Sequence, residues 1–203
     1  MILPTRNLCG IRTGLFNYLN NFKNNKIMSN YKLATNALHA GHDTTTNGGT
    51  RAVPIYQTSS YVFNDTEHAA NLFSLKELGF IYTRLNNPTN QILQDRLAAV
   101  EGGIGAVVFA SGTAAITTGL LTLLKAGDHI VASSSLYGGT FNLLNVTLPR
   151  FGITTTFVDA SDPENFGKAV QENTRAFFVE SLGNPKLDVL DYWKRNITWR
   201  YYY

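Results

Sequence analysis

The sequence predicts an α/β fold, a parallel sheet covered by helices on both sides, and three observations carry that reading. Short apolar runs recur at 106–109, 128–132, 153–158 and 174–180, rich in valine, isoleucine and phenylalanine as buried parallel strands require. Segments with helical spacing lie between them, giving a repeated strand–helix–strand order. Glycine, serine and proline sit at the joints. A chain of 203 residues can bury one sizeable core, so one domain is expected.

Taken in order, residues 31–61 are polar and rich in threonine and glycine, and read as an extended N-terminal arm. A short helix is expected over 65–78, carrying Ala69, Leu72, Phe73 and Leu75. Residues 82–90 form a loop, with Pro88 just ahead of a helix over 90–101 that Gly102-Gly103 ends. The strand at 106–109 then turns through Ser111-Gly112-Thr113 into a helix with Ile116, Leu120, Leu121 and Leu124 on one face, stopped at Lys125 and Gly127. A second strand at 128–132 leads into a Ser/Gly-rich loop over 133–139. The helix bearing Phe141, Leu144 and Leu148 must stop near Pro149. A strand at 153–158, a helix from Asp162-Pro163 to about Gln171 and a strand at 174–180 complete the pattern.

The two ends depart from it. Residues 1–27 hold Arg6, Arg12, Lys23 and Lys26, many asparagines and no acid. They are read as translated upstream sequence before a start at Met28, with a mitochondrial transit peptide as the alternative. Residues 192–203 hold both tryptophans, Trp193 and Trp199, with Lys194, Arg195 and Arg200, and follow neither helical nor strand logic. They are read as an aberrant tail, such as a frame shift or a truncated gene would leave.

The formal charge of +3 therefore misleads. Setting aside those seven basic residues leaves ten against fourteen acids in 28–191, a net −4, which is no footprint for nucleic acid. The uncharged span 102–124 is interrupted by Ser-Gly-Thr and Thr-Thr-Gly, which argues against a membrane helix. Cys9 is the single cysteine, so the body has no disulfide framework, in keeping with a reducing cytoplasm. The four histidines, His39, His42, His68 and His129, show no ligand spacing and are read as packing or polar residues, with no metal.

A strand entering a helix through Ser111-Gly112-Thr113 aims main-chain N–H groups and the positive helix end at one point, where a phosphate can bind. A turn kept for packing alone is the plain alternative. Gly-x-x-x-x-Gly-Lys-Ser/Thr is absent, and Ser-Gly-Thr-Ala-Ala-Ile does not supply Gly-x-Gly-x-x-Gly, which sets aside nucleoside triphosphates and dinucleotides. Pyridoxal 5′-phosphate needs one cradle, an aromatic face and polar partners, and Tyr137 stands five residues past the second strand.

The motifs become specific as an ordered set: Tyr82-Thr83-Arg84 with Asn87-Pro88-Thr89, Glu101-Gly102-Gly103, Ser111-Gly112-Thr113-Ala114-Ala115-Ile116, Tyr137-Gly138-Gly139-Thr140 and Glu180-Ser181-Leu182-Gly183-Asn184-Pro185. The set closely resembles the Cys/Met-metabolism family of pyridoxal-phosphate enzymes over about 34–191. Residues 35–43, 54–58 and 183–188 look most like its O-acetylhomoserine sulfhydrylase branch, with cystathionine synthases and methionine gamma-lyases as alternatives. The resemblance implies a fold-type I, aspartate-aminotransferase-like cofactor domain. By resemblance 28–61 is its arm and 62–191 an incomplete part of it. It further implies a homo-oligomer, a tetramer in intact members, acting on a small amino acid: O-acetylhomoserine and sulfide to homocysteine and acetate. Ser111, Gly112 and Thr113 would hold the cofactor phosphate, and Tyr82 and Arg84 would reach the phosphate of a neighbouring chain. Tyr137 would stack on the pyridine ring, and Glu180 and Asn184 would be its polar neighbours.

In that family a lysine in a Ser-x-Thr-Lys stretch bonds to the cofactor's aldehyde carbon, and an upstream aspartate pairs with the pyridine nitrogen. Neither stretch is in the chain. Thr122-Leu123-Leu124-Lys125 is the nearest lookalike, and on a regular helix Lys125 lies roughly 20 Å from the phosphate end. Lys186 is closer, but does not match a position that the family uses. No turnover is expected of the chain itself. A non-catalytic role, binding intact homologous subunits through the arm and the Tyr82–Arg84 loop, is the second expectation.

Overall fold

The computed structural model describes residues 31–190, so the expected extension at 1–27 and tail at 192–203 lie outside the described residues. The chain divides into two compact units that meet in sequence at Val108 and Phe109.

In the first unit, α1 (Leu33–His39) occupies part of what the sequence predicts as an extended arm. It has no side-chain N-cap, and its support is tertiary. It packs on α3 (Pro88–Glu101), and Arg96 Nε donates to the Ala40 carbonyl at 2.9 Å. Gly41 then turns the chain at φ 76°, where a Cβ would lie 2.6 Å from the Ile92 carbonyl oxygen. Only glycine passes there without strain. The helix α2 (Thr66–Phe73) is shorter than expected: Asp65 accepts from the His68 N–H at 2.7 Å to start it, and Leu75, at φ 57°, takes the chain out of the helix before 78. α3 starts two residues early because Pro88 is its first helical residue, where a missing N–H costs nothing, with Asn87 as cap. Gly102, at φ 67°, closes it as expected.

The run 106–109 is no strand. Apart from a single bridge at Ala106 it pairs with none of the described strands, and Val107 is exposed.

The second unit is the predicted parallel α/β arrangement. α4 (Gly112–Leu123), β1 (His129–Ser133), a helical segment beginning as α5 (Gly138–Asn142), β2 (Thr154–Val158), α6 (Glu164–Lys168) and β3 (Thr174–Phe178) follow in order. The sheet runs β2-β1-β3, both pairings parallel, with His129 beside Thr154 and Thr174. Ile130 and Ala132 pack on one face with Leu120 of α4, Leu124 just past its end, and Leu144 and Leu148, while Val131 packs on the other with Phe166 of α6. Helices thus cover both faces of β1.

Three elements differ in detail. The helix after Tyr137 widens into a π turn over Leu143–Thr147 and tightens into a 3₁₀ turn over Leu148–Phe151. Pro149 sits in the first turn of that last piece, so the segment continues past a proline by changing its hydrogen-bond register. α6 ends at Lys168 because the Gln171 N–H is taken by Thr174 Oγ1 at 2.7 Å. β3 stops at Phe178, leaving Glu180 on the loop beyond it.

Candidate functional site

The carboxyl ends of β1, β2 and β3 fall at one edge of the sheet, the edge where parallel α/β sheets bind ligands. Beside it, Ser111 caps α4: its backbone is extended, and its Oγ accepts the Ala114 N–H at 3.1 Å. Gly112 and Thr113 are the first two helical residues, whose N–H groups have no acceptor within the helix. Gly112 has no positive φ, and a Cβ there would meet nothing within 4 Å. Neither the backbone nor packing among the described residues asks for glycine. A ligand pressed against the main chain would, so this corner fits the phosphate of pyridoxal phosphate.

α4 packs against α5, whose N-cap is Tyr137. The Tyr137 N–H donates to Glu180 Oε2 at 3.0 Å, joining two predicted site residues 43 positions apart. The ring is half exposed and folds over Gly139, where a Cβ would lie 2.5 Å from Tyr137 Cε1. In the loop between β1 and Tyr137, Ser133 Oγ accepts the Ser135 N–H at 3.0 Å. Ser135 Oγ is buried against Gly183 and has no hydrogen-bond partner among the described residues. Ser135 was not singled out by the sequence, since a lone serine in a serine-rich loop carries no signal.

Asn184 is exposed in the loop after β3, and its bond to Pro185 is cis. That loop is closed by the Leu182–Val189 bridge and by the Gly183 N–H donating to the Asp188 carbonyl at 2.8 Å. Beyond β2, Asp159 Oδ1 accepts the Ser161 N–H at 2.9 Å; this bond, the Ser161 hydroxyl and the Lys186 charge hold its carboxyl below the usual range. Lys186 thus has an acidic neighbour of its own. The Lys125 N–H donates to Asp128 Oδ2 at 2.8 Å beyond the far end of α4, about 20 Å from Gly112 at about 1.5 Å per residue.

Tyr82 and Arg84 belong to the first unit. The Arg84 guanidinium carbon stands 5.8 Å from the Tyr82 ring centroid, and Arg84 makes no ion pair with a described residue. Together with Thr83 they line an open cleft of about 560 Å³, whose other wall is residues 56–59. Buried Asn87 ties the walls: its Nδ2 donates to the Tyr56 carbonyl at 2.9 Å and to Thr83 Oγ1 at 3.2 Å, while its Oδ1 accepts the Thr89 N–H at 2.9 Å. Sequence reading placed Asn87 in a motif but gave it no task.

His129 is buried and bonded to Thr174 and Thr156, as expected of a packing residue. Among the described residues no group of His, Cys, Asp or Glu could hold a metal, and no helix is long and apolar enough to cross a membrane.

An open helix start and an anchored aromatic on a parallel sheet are groups of the kind a pyridoxal-phosphate site uses, and residues 34–196 match the family model described as Cys/Met metabolism PLP-dependent enzyme. The chain belongs to that family. Within it, the chain is 59% identical over 162 residues to the O-acetyl-L-homoserine sulfhydrylase of Leptospira meyeri, covering 80% of this chain and 37% of that protein. It is 52% identical to the homocysteine synthase of Schizosaccharomyces pombe, covering 76% and 36%. The crystal structure described as O-acetylhomoserine (thiol)-lyase of Campylobacter jejuni, which carries N′-pyridoxyl-lysine-5′-monophosphate, superimposes with a TM-score of 0.75 at 42% identity, covering 80% of this chain and 40% of that one. The chain thus spans less than two fifths of the length of these two curated relatives.

Proposed function

We propose that this chain carries the phosphate corner and ring-face part of the cofactor site of an enzyme that makes homocysteine from O-acetylhomoserine and sulfide. The observation that carries the reading is the open first turn of α4, with a glycine that no contact among the described residues requires. The names of the relatives supply the substrate class.

The N–H groups of Gly112 and Thr113 and the hydroxyl groups of Ser111 and Thr113 would hold the dianion. The helix end adds about 0.3–1 kcal/mol, more where partly buried. Tyr137 would cover one face of the pyridine ring and keep water from it, with Asn184 at the ring's rim. When bound, pyridoxal phosphate supplies an electron sink for the amino acid's α-carbon. Tyr82 and Arg84 would complete the phosphate site of a neighbouring chain, which makes the working form a homo-oligomer. The chain holds no Ser-x-Thr-Lys stretch to bond the aldehyde carbon, so no turnover is expected from it alone.

Pyridoxine 5′-phosphate has no aldehyde to react with stray lysines, and its binding by calorimetry tests the site. The purified chain should bind it and bind pyridoxine at least about tenfold more weakly, a difference of about 1.4 kcal/mol. Ser111→Ala should weaken the phosphorylated ligand selectively. Equal affinity for both ligands, or none for either, overturns the assignment. For the reaction, residues 31–190 joined to the remainder of the Leptospira protein should form homocysteine; no product would defeat the substrate assignment.

A second reading is favoured by Arg84, exposed and without an ion pair among the described residues: a non-catalytic role in which the Tyr82–Arg84 loop engages a homologous subunit. Association with a full-length relative that Arg84→Ala abolishes would support it.

A further inference from the structure

We infer that Glu180 serves the site as a positioning residue that acts through Tyr137, with Gly139 as its counterpart, and does not itself touch the bound cofactor. This rests on the cofactor reading above and narrows the role that family resemblance gives Glu180.

Tyr137 stands at the joint between the loop leaving β1 and the helix α5. Its φ and ψ of −52° and 135° are not helical, and no side chain caps the helix from this position. Left to itself, that joint has little to fix it, since the two glycines that follow are the residues freest to move. Two contacts supply what the local sequence lacks. Glu180 Oε2 accepts the Tyr137 N–H at 3.0 Å, a charge-assisted bond that ties the joint to the segment leaving β3. On the other side the ring lies over Gly139, and a Cβ at that position would fall 2.5 Å from Tyr137 Cε1. One contact fixes the main chain and the other leaves room for the ring, so together they set where the aromatic face points. Glu180 is half-buried, and the oxygen that makes this bond faces the loop main chain.

The test separates this role from direct contact. In the full chain, Glu180→Ala and Gly139→Ala should each lower the affinity for pyridoxine 5′-phosphate by about tenfold, the scale of one charge-assisted bond, while binding of inorganic phosphate at α4 stays unchanged. Glu180→Gln keeps an oxygen acceptor for the Tyr137 N–H and should restore most of the affinity. In a Tyr137→Ala background, Glu180→Ala should cost nothing further. A tenfold loss that persists without Tyr137 would show that Glu180 meets the ligand itself and would overturn the inference.

A second readout needs no ligand. Protection of the Tyr137 amide from hydrogen exchange should be lost in Glu180→Ala and kept in Glu180→Gln. If wild-type chain binds no pyridoxine 5′-phosphate but the amide shows this dependence, the cofactor reading fails and the positioning role stands. Protection indifferent to Glu180 overturns the positioning role whatever the ligand does.

Discussion

Replacing His129 with glutamine should cost stability at pH 8 and remove an acid sensitivity that the wild-type chain carries. The ring is 1% exposed at the start of β1. Its Nδ1 lies 2.8 Å from Thr174 Oγ1, and its Nε2 lies 2.9 Å from Thr156 Oγ1 and 3.2 Å from Gln171 Nε2. An amide nitrogen can only donate, so this network assigns Nε2 as the acceptor and places the ring proton on Nδ1. A second proton would sit on Nε2, facing the Gln171 amide, in a site that burial already makes hostile to charge. Burial accordingly pulls the His129 pKa below its ordinary value of 6.5.

The unfolded chain then takes up a proton near pH 6.5 that the folded chain refuses, so stability is level above about pH 7.5 and declines as pH falls below 6.5. The slope is at most about 1.4 kcal/mol per pH unit for one proton. Glutamine does not titrate and can reach only one of the two threonines. Whichever threonine is abandoned loses one bond, Thr174 keeping the Gln171 N–H and Thr156 being half-buried, and this should cost about 1 kcal/mol at pH 8. Urea unfolding followed by far-UV circular dichroism at pH 8, 7, 6 and 5.5 checks this. The gap between wild type and His129→Gln should narrow steadily toward acid. Parallel pH profiles for the two proteins would refute the reasoning.

In the first unit, Asn87→Ala strands the Tyr56 carbonyl and the Thr89 N–H together, and should lower unfolding stability by about 2–3 kcal/mol, read as a shift in urea midpoint. Gly41→Ala should destabilise by about 1–3 kcal/mol, because the Cβ meets a carbonyl 2.6 Å away at a strained φ. Gly48→Ala, at φ 64° with open space around it, should cost only about 1 kcal/mol in the same melt. Asp95, whose pKa burial raises against the opposing Gln91 hydrogen bond, favours the fold at acid pH and loses that advantage as pH rises through its folded value. Asp95→Asn should therefore raise the melting temperature at pH 7 and leave it nearly unchanged at pH 3.

What the sequence made legible was what neighbouring residues decide among themselves. Asn87-Pro88, Ser111 and Gly102 mark helix ends by capping chemistry that acts within one turn, and all three ends fall within two residues of expectation. α1 escaped notice because its stability comes from Arg96 and from the approach that Gly41 allows, and neither is visible in its own seven residues. The run 106–109 reads as a strand by composition, but a strand needs a pairing partner, and none of the described strands pairs with it. The open helix start after Ser111 was legible for the same reason as the caps. The bond from Tyr137 to Glu180 was not, because it depends on where β1 and β3 end relative to each other.

That register explains why the two edges of the sheet do different work. All five residues of β1 are buried, so the polar residues at its two ends must find partners or be costly. At the amino edge His129 meets Thr156 and Thr174 and fills the space between strands with satisfied bonds. At the carboxyl edge, about 13 Å away at about 3.3 Å per residue, Ser133 turns its oxygen to the Ser135 N–H and starts the loop that carries Tyr137. One edge is closed by side chains of the sheet itself, while the other hands its chain to loops that Glu180 must hold. A fault at the amino edge should therefore lower stability and leave the Tyr137 amide bonded, whereas loss of Glu180 should free that amide with little effect on the melt. If His129→Gln released the Tyr137 amide under native conditions, the two edges would be coupled through β1 and this division of labour would be wrong.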